Sequence, residues 1–196
     1  DGSTDSSLEI AKSINDKRVR VISDGQNKKL AARLNQVARE AKYELIARMD
    51  ADDLIPTYRL DKQVDYLNEN PNFDLVTTGL CSLNNEDKVI GIRITEPSHK
   101  IRDANMLFSS DHGIVHASIL MRKSWLLRNS YDETMKRAQD YELWLRAFTS
   151  NDLKIGFLPI VGYYYREEAN LTKKNLLITY QISLDMLVKY SRHLSS

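Results

Sequence analysis

The chain has little that would staple, anchor or redox-tune a fold. Among 196 residues there is one cysteine, Cys81, so no internal disulfide framework exists and no Cys pair is present to hold zinc or run thiol chemistry. A reducing cytoplasm is the expected setting. No signal-peptide pattern opens the chain and no apolar run is long enough to span a bilayer, so a soluble protein is expected. Charge of neither sign dominates, with 28 Lys and Arg against 27 Asp and Glu. That balance argues against a nucleic-acid binder and an acidic tail, and leaves any electrostatic function local. The common phosphate-cradling glycine loops are missing too, since neither G-x-x-x-x-G-K-[ST] nor G-x-G-x-x-G occurs. No repeat, low-complexity tract or linker interrupts the chain, and its length suits one domain with a sizeable core.

What is present is an alternation of helical and strand-like patterns separated by acidic or amide-rich turns, the rhythm of an α/β sheet. Asp5 or Ser6 is placed to cap a helix with the stripe Leu8, Ala11 and Ile14, and "RVRVIS" reads as a short strand. "KKLAARLNQVAREAK" is the clearest helix, with Leu30, Leu34, Val37, Ala38 and Ala41 at helical spacing and Arg33 off the stripe. Residues 44–49 form a strand, and Pro56 starts a helix carrying Leu60, Val64 and Leu67. "DLVTTGLCSL" and "KVIGIRIT" flank the polar turn "NNED" as two strands. A helix over 99–108, a strand "VHASILMR", a helix "AQDYELWLRAFTS" and a strand "IGFLPIVGYYYR" follow. The tail is a long amphipathic helix with Leu177, Tyr180, Leu184, Leu187 and Val188 on its stripe.

"LIARMDADDLIP" is the stretch most in need of explanation, because a strand-like run ends in Asp50, Asp52 and Asp53, and ionised carboxylates are rarely buried without a partner. On an extended segment Asp50 and Asp52 share one side, at a strand end where open α/β sheets bind ligands. Magnesium or manganese is commonly held by one or two carboxylates plus substrate phosphates, so the spacing suits a nucleotide diphosphate bridged through a metal. An isolated D-x-D is more often a solvated turn whose acids favour the following helix start. A calcium loop fails at Leu54 and Ile55, where an oxygen ligand and glycine are needed. "HGIVH" lacks the glutamate and helical pattern of a zinc protease, which makes His112 and His116 structural histidines. Asp140, in "RAQDYELWLRAF", stands at a helix start on the rim of an apolar layer, a place where one Asp alone usually serves the helix end.

Taken together these stretches resemble the family 2 glycosyltransferases of the GT-A fold. "DGSTD", "KLAARLNQVAREAKYELIARMDADD" with the following Pro56 and "RL", "IVHASILMRKS", "AQDYELWLRA" and "YYYR" occur in family order over nearly the whole chain. The resemblance implies a mostly parallel mixed sheet flanked by helices, with the C-terminal amphipathic helix, as a single domain over 1–196. Its nucleotide-binding half would cover about 1–95, its acceptor half about 96–170 and the helix about 171–194. It also implies an inverting, metal-dependent transferase that moves a sugar from a nucleotide-diphosphate donor to a glycan or lipid-linked hydroxyl acceptor. Bacterial surface polysaccharide synthesis at the inner face of the membrane, with peripheral association, is the implied setting.

By the same resemblance Asp1 and Arg33 would contact the nucleotide base and phosphates, and Asp50 would lie by the ribose and metal. Asp52 would ligate Mn2+ or Mg2+, and Asp140 would be the base that activates the acceptor. Three departures stand out. The chain begins at the second Asp of the family's "DDGSTD", without the preceding apolar strand; Asn27, Lys28 and Lys29 replace the usual "N-x-G"; and Glu168 stands where a histidine is usual. A degenerate fold that binds nucleotide or glycan without turnover is the alternative. Phosphotransfer using Asp50 as nucleophile is the third, and Leu54 does not match its motif.

Overall fold

The computed structural model describes residues 1–108, 112–167 and 173–191, with the side chains of 173–176 and 179 outside that description. Its elements in chain order are α1 (Ser7–Ser13), α2 (Lys29–Glu40), β1 (Leu45–Ala47), α3 (Arg59–Glu69), β2 (Leu75–Leu83), β3 (Val89–Arg93), β4 (Leu120–Arg122), α4 (Lys123–Arg128), α5 (Gln139–Thr149), β5 (Ile155–Arg166) and α6 (Lys173–Tyr190). Short 3-10 turns cover Ala104–Phe108 and His116–Ser118.

The sheet is built around β2, whose nine residues are all buried. Leu75, Val76, Leu80, Cys81 and Leu83 suit a strand covered on both faces, and the buried hydroxyls of Thr77, Thr78 and Ser82 are hydrogen-bonded. One edge of β2 pairs in parallel with β5 over Leu75↔Ile155 to Leu83↔Arg166. The other edge is shared, with β4 taking the start of β2 and β3 its end, and β1 pairs with the far side of β4. These last three pairings are antiparallel, so the mixed sheet is not mostly parallel as expected. Adjacent strands in the chain explain this: β2 and β3 are joined by a tight polar turn, which permits only an antiparallel hairpin. Asn84 organises that turn by accepting from Glu86 N–H and Lys88 N–H.

The main core lies between the sheet and helices α4 and α5. Trp125 and Trp144 stack there with centroids 6.1 Å apart, among fully buried Leu107, Ile119, Leu143 and Leu145. The Trp125 indole donates to Asp152 O at 2.7 Å, which satisfies its one polar atom.

Several sequence expectations are corrected by packing. Residues 18–23 form no strand, because among the described residues no strand pairs with them, and Val19 is exposed. Residues 99–103 are not helical, and the expected strand over 115–122 is a 3-10 turn followed by three strand residues and α4. Three helices bury a face other than their most apolar one. In α2 it is Ala31, Asn35 and Ala38, with Leu30 and Val37 exposed. In α3 it is Arg59, Gln63 and Leu67, and in α6 Met186 and Tyr190, leaving Leu177, Tyr180, Leu184 and Val188 in solvent. Polar side chains win these positions where they satisfy buried backbone groups. Asn35 donates to Tyr131 O and accepts from Tyr131 N–H, both at 2.9 Å, and Gln63 donates to Val76 O and Ser118 O. Among the described residues no helix is long and apolar enough to cross a membrane.

Candidate active site

A cavity of about 680 Å³ opens at the end of the sheet where β2 meets β3. Its wall includes Arg48 and Asp50 from the segment after β1, Ile92 from β3, His116, Asp140 at the start of α5, and Tyr165 from β5. Asp50 and Asp140, ninety positions apart in sequence, therefore face one volume of the size that holds a drug-sized or cofactor-sized ligand.

Asp140 owes its position to a strained entry into α5. Ala138 adopts a left-handed backbone with φ 54, uncommon for a residue with a side chain, and this turns the chain so that the helix begins against the cavity. Burial is the main influence on the Asp140 carboxyl and raises it above the ordinary range. Its own N–H, the Tyr141 N–H and Arg48 oppose that rise, while Asp50 adds to it. A raised carboxyl facing a cavity is the electrostatic condition for proton uptake. His116 lies beside it, with Nδ1 3.6 Å from Asp140 Oδ2. The imidazole is held well below its usual value by burial first and by Arg48 second, so it is neutral.

The acidic segment is a turn and not an extended run. Ala51 and Asp52 form the bend, so the alternation that would put Asp50 and Asp52 on one side does not apply. Asp50 Oδ1 accepts from Arg48 Nη2 at 2.7 Å. Asp53 turns inward: it is buried, accepts from Tyr163 Oη at 2.8 Å and from Arg166 N–H at 2.9 Å. The same Tyr163 oxygen accepts from Asp50 N–H at 3.0 Å, so one phenol grips both ends of the turn. Fully buried Arg59 lies 5.3 Å from that ring and donates to Arg48 O and Gln63 Oε1, its guanidinium brought down to about 10 by burial. These buried contacts fix the turn that presents Asp50 and Asp52. Sequence reading included Asp53, Arg59 and Tyr163 in its stretches without giving them a role, and no signal in the sequence pairs Asp53 or Arg59 with Tyr163, since those contacts cross more than a hundred positions.

Asp52 is exposed, and its carboxylate makes no hydrogen bond or ion pair with any described residue. It lies outside the cavity wall given by Asp50 and Asp140. No group of three or more His, Cys, Asp or Glu that would hold a metal occurs among the described residues. A hard divalent cation bound mostly by substrate phosphates and water needs only one or two carboxylates, and the unpartnered Asp52 with Asp50 on the same turn fits that need.

Asp1 and Arg33 form a separate cluster. Asp1 accepts from Lys28 N–H, Lys29 N–H and Arg33 Nε, each at 2.8 Å. The Arg33 guanidinium also reaches Asp24, which it holds well below the usual carboxylate range, and Gln26 O at 2.6 Å. Gly2 has φ +68, and a Cβ there would lie 3.1 Å from Asn27, so the close approach of these loops suits glycine. Lys29, at the family's glycine position, has φ 72 and takes the glycine-like conformation while keeping its side chain. Asp1 and Arg33 thus meet each other, with Asp24 as an unforeseen third member, and neither lines the Asp50–Asp140 cavity. Glu168 lies outside the described residues.

The comparisons agree with this architecture. Residues 1–128 match the family model "Glycosyl transferase family 2". An uncharacterized glycosyltransferase of Methanocaldococcus jannaschii is 29% identical over 77% of this chain and 51% of its own length. The putative glycosyltransferase EpsE of Bacillus subtilis is 33% identical over 96% of this chain and 67% of its own. The O-antigen biosynthesis glycosyltransferase WbnJ of Escherichia coli is 28% identical over 89% and 69%. Among solved structures, S. aureus TarS 1–349 in complex with UDP-GlcNAc superposes with TM-score 0.62 at 17% identity, over 86% of this chain and 48% of that one. The mannosyltransferase PcManGT from Pyrobaculum calidifontis, in complex with GDP-Man and Mn2+, gives 0.58 at 16%, over 88% and 46%. The chain spans between about half and two thirds of these relatives and about half of these solved chains, and the structural likeness shows a shared GT-A fold. With the family model covering most of its length, the chain belongs to glycosyl transferase family 2.

Proposed function

We propose that the protein is an inverting glycosyltransferase, moving a sugar from a nucleotide-diphosphate donor to a hydroxyl acceptor in surface polysaccharide synthesis. The observation that carries this reading is the shared cavity of Asp50 and Asp140, one acid on the turn fixed by Tyr163 and the other raised by burial at the start of α5. WbnJ's role in O-antigen biosynthesis supports the setting, and the nucleotide sugars bound by TarS and PcManGT support the donor class.

In this reading Asp140 takes the proton of the acceptor hydroxyl as its oxygen bonds to the anomeric carbon. The bond from that carbon to the diphosphate breaks on the opposite face, so configuration inverts in one displacement. Asp50 and Asp52 would hold Mn2+ or Mg2+, and a bound cation there offsets charge on the departing diphosphate. Asp1 and Arg33 would meet the base and phosphates, with Arg33 already oriented by Asp24.

The test is a screen of nucleotide sugars for metal-dependent thermal stabilisation and for turnover. A nucleotide diphosphate at about 100 times its dissociation constant should add ~2.7 kcal/mol, only with Mn2+ or Mg2+ present. Asp52→Ala should abolish that dependence. A full metal-dependent shift in the variant would remove Asp52 from the metal site, and stabilisation without turnover would favour a binding module.

A further inference from the structure

His116 and Tyr131, which the transfer reading leaves unused, form a row with Asp140, Tyr131 being buried and the other two partly buried at the cavity wall. The His116 Nε2 is 2.8 Å from the Tyr131 hydroxyl and its Nδ1 faces Asp140 Oδ2 at 3.6 Å. The row spans three separate chain segments, and each member is fixed from elsewhere. Asn35 clips both backbone groups of Tyr131, Trp144 meets the imidazole edge-on at 5.9 Å, and α5 carries Asp140. The Tyr131 hydroxyl has no other partner among the described residues.

We propose that Tyr131 and His116 are positioning residues for Asp140, with the hydroxyl donating to Nε2 so that the imidazole carries its proton on Nδ1, towards the carboxylate. The inference rests on the transferase reading for Asp140's role. The hydrogen-bond arrangement itself rests on geometry alone.

A neutral imidazole has one N–H and one lone pair, so only two arrangements exist. With the proton on Nε2, the Nδ1 lone pair would point at the Asp140 carboxylate in a buried place, and the tyrosine proton would have no acceptor. Both faults cost free energy where burial limits access to water. With the proton on Nδ1, the hydroxyl donates to Nε2 and the N–H faces Oδ2, so the hydroxyl has its acceptor and the N–H is directed at a carboxylate. The charge states agree: burial raises the Tyr131 phenol and so keeps it protonated, while burial and Arg48 keep His116 neutral. The charged groups that act on this row are Asp140, from α5, and Arg48 and Asp50, from the segment after β1. At 3.6 Å the last link is longer than a hydrogen bond, and such contacts commonly tighten when substrate closes the site. The imidazole then fixes the orientation of the Asp140 carboxylate, whose remaining lone pairs can take the acceptor proton.

The experiment is nitrogen NMR on the ¹⁵N-labelled full chain. The sequence has four histidines, and His116→Gln identifies the resonances of interest. The expected result is a pyrrole-type Nδ1 and a pyridine-type Nε2 for His116. Tyr131→Phe keeps the ring and the Asn35 clips, and should move the imidazole towards the Nε2–H form. A pyridine-type Nδ1 in the wild type, or a spectrum unmoved by Tyr131→Phe, would overturn the assignment. Under a transfer assay the same variant should lose turnover on the order of 10-fold with donor KM unchanged, the scale of one hydrogen bond acting through a ligand-contacting group. Unchanged turnover would also overturn it. If the wild type transfers no sugar at all, the transferase reading falls, and the tautomer readout still decides the arrangement of Tyr131 and His116.

Discussion

Lys29 holds a left-handed backbone angle, φ 72, that costs a residue with a side chain about 1 kcal/mol. Its N–H is committed to Asp1, which explains why the angle persists. Lys29→Gly should therefore raise stability by up to ~1 kcal/mol, seen as a melting temperature higher by about 2–4 °C, with the Asp1 contact intact. A lower melting temperature would show that the lysine side chain contributes more than its backbone costs. Asp140 makes a second residue-scale prediction. Its carboxyl is raised in the folded state, chiefly by burial. A raised folded value means the folding contribution is fully present below the unfolded value of 3.8 and is lost as pH rises through the folded value. Asp140→Asn should accordingly be more stable than wild type at neutral pH in urea unfolding. That advantage should shrink as pH falls towards 3.8.

At the scale of elements, α6 separates what periodicity reveals from what it does not. The sequence places Leu177, Tyr180, Leu184 and Val188 on the apolar stripe, yet the docked side chains are Met186 and Tyr190, with Ile182 partly covered. The reason is polar: Tyr190 Oη donates to buried Glu142 at 2.8 Å, and Arg146 and Lys189 pair with the same carboxylate. Met186→Ala should cost about 2–4 kcal/mol by leaving a cavity, whereas Leu184→Ala should change stability by less than ~0.5 kcal/mol. Equal losses measured by denaturant titration would contradict the docked face. The same logic explains α2 and α3, where Asn35 and Arg59 take buried positions because backbone groups elsewhere need them. Elements with one dominant signal, such as the all-buried β2 and the hairpin organised by Asn84, were legible from sequence. The strand expected over 18–23 does not form, because alternation describes a side-chain pattern and supplies no pairing partner.

For the whole molecule, the family and the α/β class were legible because several weak stretches occur in a fixed order. The geometry of the site was legible only in part. Asp50 and Asp140 line one cavity, but the turn that carries Asp50 and Asp52 depends on contacts of Asp53 and Arg59 with Tyr163 and Arg166, which come from a strand more than a hundred positions away. Asp1 and Arg33 meet each other and not the cavity. His116, read from sequence as structural, stands next to the proposed base. Contacts across the chain of this kind follow from packing and have no local signature. In the proposed reaction this packing makes Asp140 the base. The measurement that tests it most directly is the transfer rate of Asp140→Asn at saturating donor and metal, with donor affinity measured alongside. A rate lower by on the order of 10² to 10⁴ with donor affinity retained is the expected result, since Asn keeps the shape and loses the proton acceptor. A folded Asp140→Asn protein that transfers sugar at the wild-type rate would contradict it.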